Sequence, residues 1–430
     1  MLINLGFYLY LLFTASWFLN LGVRVSLLGA LHFDLLVVGV LFLIIIFGTL
    51  SKTLIFVKNR TNSILIYLLV YIVLTLPLVE WPGSVLKQNL EIFIKAIVFY
   101  YFTILFITDE RKMKIFLTLF LVVQTFRIIE PLYLHLTDGY WGSAAFAGGE
   151  FMDRLAGAPS DTVNPNGLAF IIVSVTPLFF YLFKNFKGGS ILFLLVLPFF
   201  VYTLMLTGSR SGFVGMGIIL FIMFLKSRRK LLFMLIGIVG LFIFWSNLDP
   251  MQKDRYLSIV DSNTANASTA EGRWEGVIRD FEVGLRRPFF GYGLGTSKEA
   301  NANYGGVVQV SHNLYTEVFQ ELGIFGLFIF LAFIWSVIKD LLNIYKINIT
   351  EFLSSQNYLL LLREGLLVWL IMNVIMSFFS YGLSSYYWYL FAGLAVALSN
   401  VIIVELTEME KLDQEYLKRH AEEFVEIKNF

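Results

Sequence analysis

Arg210, Arg273 and His312 are the residues of this 430-residue chain whose chemistry asks for a ligand. Arg210 lies in Thr207-Gly-Ser-Arg210-Ser-Gly212, at the end of a long apolar run. An ionised side chain near membrane depth is costly and faces a protein interior or a wet cavity, which makes it a functional candidate. Close helix packing through Gly208 and Gly212 is the structural alternative for the same stretch. Arg273 falls in the first turns of a predicted helix. Ser268-Thr-Ala-Glu271 reads as its capping box, and Trp274, Val277, Ile278, Phe281 and Leu285 share one apolar face that ends at Arg286-Arg287-Pro288. Such a helix start favours an anion, although an exposed arginine balanced by Glu271 or Glu275 fits equally. His312 is one of only four histidines and stands between a polar loop and a long apolar helix. With Ser311 as cap, His312 enters the first helical turn, where the dipole favours the neutral, proton-accepting ring. Two guanidiniums can clamp a diphosphate and stabilise its departure, while a neutral imidazole takes the proton of an attacking hydroxyl. That combination describes transfer from a lipid diphosphate with neither cofactor nor metal, since no second ligand lies at metal spacing from His312.

Other polar residues are weaker candidates. Gln124, Arg127 and Glu130 recur at i+3 on one predicted helix, so an internal Arg127–Glu130 salt bridge and substrate contact both fit. Asn166, Ser209 and Asn313 stand beside the stronger candidates and read as supporting residues. Glu317 and Glu321 continue a polar stripe behind His312 and are expected to orient the helix or its neighbours. Gly291-Tyr-Gly-Leu-Gly295 lacks the strand-then-helix context of a nucleotide loop and reads as a tight turn. His32, Asp34 and His135 read as interfacial polar residues, and Arg363 with Glu364 as snorkelling side chains.

The elements that must position these groups are set by composition. At 58% hydrophobic and 15% charged, the chain falls well below the charge of a soluble domain, so its solvent is lipid. Continuous apolar runs predict an all-α polytopic membrane protein and exclude a β-barrel. About twelve spans are expected: Leu5–Leu21, Leu27–Leu50, Ile64–Val79, Ile92–Ile107, Ile115–Leu136, Leu168–Phe183, Ile191–Leu206, Phe213–Leu225, Leu231–Ser246, Leu314–Val337, Leu359–Phe379 and Tyr386–Val404. The first has no basic flank or cleavage site and reads as a retained span. Lysine and arginine gather at every other connection (Lys52, Lys58 and Arg60; Arg111, Lys112 and Lys114; Lys184 and Lys187; Lys226 to Lys230; Lys339 and Lys346), which predicts cytoplasmic termini. The expected organisation is helices one to nine over 1–246, a long outward loop over 247–312, helices ten to twelve over 313–404, and an amphipathic cytoplasmic tail over 405–430. A second outward segment runs from Thr137 to Asn164. Absence of cysteine excludes disulfides and thiol chemistry, a net charge of +1 argues neither for nor against nucleic acid, and no nucleic-acid partner is expected.

Short stretches in this order resemble the O-antigen ligase and O-antigen polymerase superfamily across most of the chain. They are Asn164-Pro-Asn-Gly-Leu-Ala169, Thr207-Gly-Ser-Arg-Ser211, Gly272-Arg-Trp274, Pro288-Phe-Phe-Gly-Tyr-Gly293, Ser311-His-Asn-Leu-Tyr315 and Glu321-Leu-Gly-Ile-Phe-Gly326. Many members carry Asp-Pro-Asn where this chain has Asn164-Pro165-Asn166. The resemblance implies a twelve-helix inner-membrane glycosyltransferase of the GT-C kind that uses no metal. It would transfer a glycan from undecaprenyl diphosphate to a sugar hydroxyl with inversion, on the periplasmic face. By the same resemblance His312 is the base, and Arg210 and Arg273 bind the diphosphate. The acceptor is lipid A–core for a ligase, the favoured reading, or a second lipid-linked glycan for an O-antigen or exopolysaccharide polymerase. A lipid-linked sugar flippase would want two related halves, which the sequence does not show, and transport leaves the long loop unexplained. A metal-dependent transferase would want acids in the first outward loop, and Gly22 to Ser26 has none.

Overall fold

The computed structural model describes residues 2–51, 59–147, 150–185, 187–227, 230–258, 261, 264, 267–344, 357–380 and 382–428. Helices dominate, because a backbone in lipid must satisfy its own hydrogen bonds. The first half holds α1 (Leu2–Leu19), α2 (Leu21–Arg24), α3 (Ser26–Ala30), α4 (Phe33–Leu50), α5 (Arg60–Thr75) and α6 (Pro82–Ser84). A π-helical turn, Val85–Asn89, leads into α7 (Leu90–Phe106), followed by α8 (Glu110–Asp138). The second half holds α9 (Pro165–Phe183), α10 (Gly189–Thr207), α11 (Arg210–Lys226), α12 (Lys230–Ser246), α13 (Pro250–Leu257), α14 (Ala267–Leu285) and α15 (Ser297–Tyr304). The chain ends with α16 (Leu314–Asn343), α17 (Asn357–Met376) and α18 (Tyr386–Lys428).

Nine stretches among the described residues are long and apolar enough to cross a membrane: α1, α4, Pro82–Phe106, α8, α9, α10, α16, Tyr358–Met376 and Tyr386–Thr407. The fold is therefore predominantly helical and consistent with the expected all-α polytopic membrane protein. The other three expected spans fall on α5, α11 and α12, whose 16, 17 and 17 residues are shorter. Helix α18 continues without interruption from its apolar part into the charged tail. Lys52, Lys58, Arg228, Arg229 and Lys346 of the basic series lie outside the described residues, as do the side chains of Ser268 and Glu271.

Helix α9 is central. It packs against α10, α11 and α17, while α18 packs against α7 and α16 against α5. Arg363 corrects an expectation here. It does not snorkel but is 2% exposed, with its Nε donating to Leu341 O at 2.8 Å, so it pins α17 to the end of α16.

Between α8 and α9 the chain forms an antiparallel hairpin, β1 (Gly142–Ala147) and β2 (Glu150–Leu155), paired from Gly142↔Leu155 to Ala147↔Glu150. The sequence signal for it is Gly148-Gly149 between two short runs, a common hairpin connection. Phe146 and Phe151 meet edge-to-face at one end of the ladder, exposed, and the other end of β2 carries Arg154 into the bundle.

Helix α16 is interrupted at Gly323, whose φ of 67° and ψ of −171° are not helical. The break frees polar backbone groups, and the Pro288–Gly293 stretch satisfies them. Tyr292 N donates to Gln320 O (2.8 Å), Gly293 N to Glu321 O (2.9 Å), and Ile324 N to Pro288 O (2.7 Å). Glycine is required at the break, since a Cβ on Gly323 would lie 2.2 Å from Phe289 O. The stretch after the break is roughly 20 residues, enough for a crossing by itself. Leu314–Leu322 is thus freed to hold polar residues at the head of the span.

Candidate active site

Three capped helix starts meet at one end of the bundle. Asn164 caps α9 by accepting from Gly167 N at 2.8 Å, with Pro165 at the position where a missing N–H costs nothing. Ser209 caps α11 through Gly212 N at 3.2 Å. Asn313 caps α16, accepting from Tyr315 N (2.9 Å) and Thr316 N (3.1 Å). The expected cap, Ser311, instead holds Asn313 in place from behind, donating to Asn313 O at 3.0 Å. His312 therefore precedes the helix and does not lie in its first turn. The start of α16 is clamped to the end of α17 by Leu314 N to Ser377 O at 2.9 Å and Tyr315 Oη to Val374 O at 2.7 Å.

A cavity of about 290 Å³ opens where these starts converge. Asn164, Asn166 and Gly167 line it from α9, Ser211 and Gly212 from α11, and His312 and Arg273 from opposite sides of the long loop. Polar residues at the end of α17, Asn373, Ser377 and Ser380, complete the rim. The helix starts of α9 and α11 and a guanidinium around one small volume are a setting that favours an anion.

The Arg273–His312 pairing depends on a buried polar network. Asn301 of α15 donates from Nδ2 to Asp280 Oδ1 on α14 (2.8 Å) and to Gln309 O (3.0 Å), and accepts from Gln320 Nε2 on α16 (2.9 Å). The helix bearing Arg273 and the loop bearing His312 are thereby referred to one another. Gln309 Nε2 lies 2.6 Å from His312 Nε2. With the amide nitrogen donating, Nε2 carries the lone pair. Burial holds the His312 pKa below the ordinary histidine range, and the charges of Arg273 and Arg279 push the same way against Asp280. Burial and Arg273 thus favour the neutral ring.

Arg210 does not line the cavity but stands directly behind its wall, next to Ser211. Its Nη1 donates to Ser258 Oγ at 2.6 Å. Two arginines that the sequence does not single out join it. Arg154 Nε donates to Thr207 O (2.8 Å) and Arg255 Nε to Gly208 O (2.7 Å), so the carbonyl end of α10 collects both. Gly208 closes α10 in the left-handed region, with a φ of 55° that favours glycine. Burial, then the charges of Arg255, Arg273 and Arg210, push the Arg154 pKa down. Burial followed by Arg273 does the same to Arg255. Arginine does not give up its proton in proteins, so the three guanidiniums stay charged although buried together.

Arg127 and Glu130 do not pair with each other. Arg127 makes a two-pronged ion pair with buried Asp161 at 2.8 Å on each arm, and Glu130 pairs with Arg24. The first pair anchors the segment leading to Asn164, and the second ties α2 to α8. Glu317 and Glu321 orient neighbours as expected: Glu317 accepts from Gly382 N (2.7 Å) and Leu383 N (3.2 Å), and Glu321 from Gly295 N (2.7 Å). The glycine-rich loop gives the amides of Tyr292, Gly293 and Gly295 to α16 and that of Gly291 to Arg287 O. The apolar stripe of α14 is largely exposed at Trp274, Ile278, Phe281 and Leu285, while Asp280, Val283 and Gly284 are buried, Gly284 against Phe319 of α16.

Residues 191–331 match the family described as O-antigen ligase. That stretch contains Arg210, Arg273 and His312 together. The match supports the O-antigen ligase and polymerase superfamily that the short motifs resemble, and with it a ligase- or polymerase-like activity in general terms. No curated protein matches the chain.

Proposed function

We propose that the cavity is the active site of a glycosyltransferase of the GT-C kind, with twelve spans and both termini cytoplasmic. It takes its glycan from undecaprenyl diphosphate at the periplasmic face of the bacterial inner membrane. The observation that carries this reading is the shared cavity of Arg273 and His312, inside the stretch matched by the O-antigen ligase family.

The acceptor hydroxyl displaces Gln309 from His312 Nε2 and gives its proton to that nitrogen as its oxygen bonds to the anomeric carbon. The bond from that carbon to the diphosphate oxygen breaks on the opposite face, with inversion, and the lipid diphosphate leaves with the electron pair. Arg273 meets the growing negative charge directly. Arg210 and the helix starts of α9 and α11 stabilise it from the wall. No cofactor is needed, and no metal has a step in this scheme, so turnover should survive a chelator.

The favoured acceptor is lipid A–core, as for an O-antigen ligase; a second lipid-linked glycan would make the enzyme a polymerase of the same superfamily. Deleting the gene in its source organism and resolving surface glycans by electrophoresis separates them. Core lacking any glycan indicates the ligase, and core bearing a single repeat the polymerase. Unchanged lipopolysaccharide indicates some other glycan, as for an exopolysaccharide polymerase.

A further inference from the structure

Asn166 is the second helical residue of α9 and lines the cavity together with His312 and Arg273. Its amide orientation is fixed from behind. Arg154 Nη2 lies 2.9 Å from Asn166 Oδ1, and arginine has donors but no acceptor, so the atom it meets is the amide oxygen. The Nδ2 group is then turned away from Arg154. Arg154 is itself immobilised: it is 8% exposed, its Nε is bound to Thr207 O, and it arrives on the strand β2 of a paired hairpin.

We infer that Arg154 is the positioning residue of the cavity, holding Asn166 as a hydrogen-bond donor toward an oxyanion of the lipid diphosphate. The inference rests on the function proposed above and adds to it the residue that selects the diphosphate. An asparagine free to flip would present its oxygen to the anion half the time, and that oxygen repels it. Arg154 removes the wrong orientation. The hairpin thus has a role at the site although none of its residues touches substrate.

The test is binding of inorganic pyrophosphate to the purified full chain in lipid nanodiscs, by titration calorimetry. Asn166→Ala and Arg154→Met should each weaken binding about tenfold, the loss expected for one hydrogen bond to a charged group. The double variant should bind no more weakly than Asn166→Ala alone, because Arg154 acts through Asn166. Arg154→Lys, which still donates to the amide oxygen, should recover most of the affinity. Wild-type binding in folded Arg154→Met, or losses that multiply in the double variant, overturns the inference. If Arg154→Met does not fold, Arg154→Lys carries the test. Its smaller loss should vanish in the Asn166→Ala background, and a loss that persists there overturns the inference equally. Coupling of the two residues in a protein that transfers no glycan would remove the transferase reading and leave the positioning role standing. Transfer without coupling would do the reverse.

Discussion

The Glu321 carboxylate accepts the Gly295 amide at 2.7 Å, across the gap between the glycine-rich loop and the broken helix α16. A second amide, Ser297 N, reaches the same carboxylate at 3.3 Å. The carboxylate is therefore the peg on which the loop hangs, and the loop in turn covers the break at Gly323. Glu321→Ala leaves these buried donors without an acceptor, and is expected to destabilise the protein by about 1–3 kcal/mol. Glu321→Gln keeps an oxygen for Gly295 N and should lose less. Thermal unfolding of the purified variants measures both, and equal melting of Glu321→Ala and wild type would show that the loop is held by something else.

Arg127 and Asp161 are a structural pair, and the stability of their variants will show it. Arg127→Met alone leaves a buried carboxylate uncompensated, a loss of about 3–5 kcal/mol. Arg127→Met combined with Asp161→Leu removes both charges and should regain most of that stability, with turnover per folded molecule close to wild type. A double variant that folds well yet fails to use donor would return Arg127 to the substrate site.

The pH dependence follows from the neutral ring. Burial and Arg273 hold the His312 pKa below the ordinary value, so the base form persists into mildly acidic solution. Turnover should be level at neutral pH and fall only as pH drops through that lowered pKa. Arg273→Gln removes a repelling charge, so the His312 pKa rises and the acid limb moves to higher pH, besides the slower turnover expected from a lost clamp. A limb that stays in place, or moves to lower pH, contradicts the coupling of the two residues.

The parts legible in the sequence are those that local physics decides. Apolar length marks the spans, Asn164-Pro165 marks a helix start, and Arg210, Arg273 and His312 stand out because charge and imidazole are rare in such a chain. The sites that escape are set by contacts distant in sequence. Nothing local to Arg127 favours Asp161 over Glu130, and nothing local to Arg154 points to Thr207 or Asn166. Ser311 and Asn313 both suit a cap, and the choice falls to Asn313 because its Nδ2 also reaches Phe378 O on the neighbouring segment, at 3.2 Å. Helix α14 carries an apolar stripe that resembles a core face, yet small and polar residues on its other side face α16.

Single-turnover transfer from an undecaprenyl-diphosphate-linked glycan to a lipid-borne acceptor, in proteoliposomes containing chelator, tests the central role of His312 most directly. Folded His312→Ala that still binds inorganic pyrophosphate should transfer about 10²–10⁴-fold more slowly than wild type, the range for loss of a general base. Transfer by His312→Ala at the wild-type rate would contradict the account.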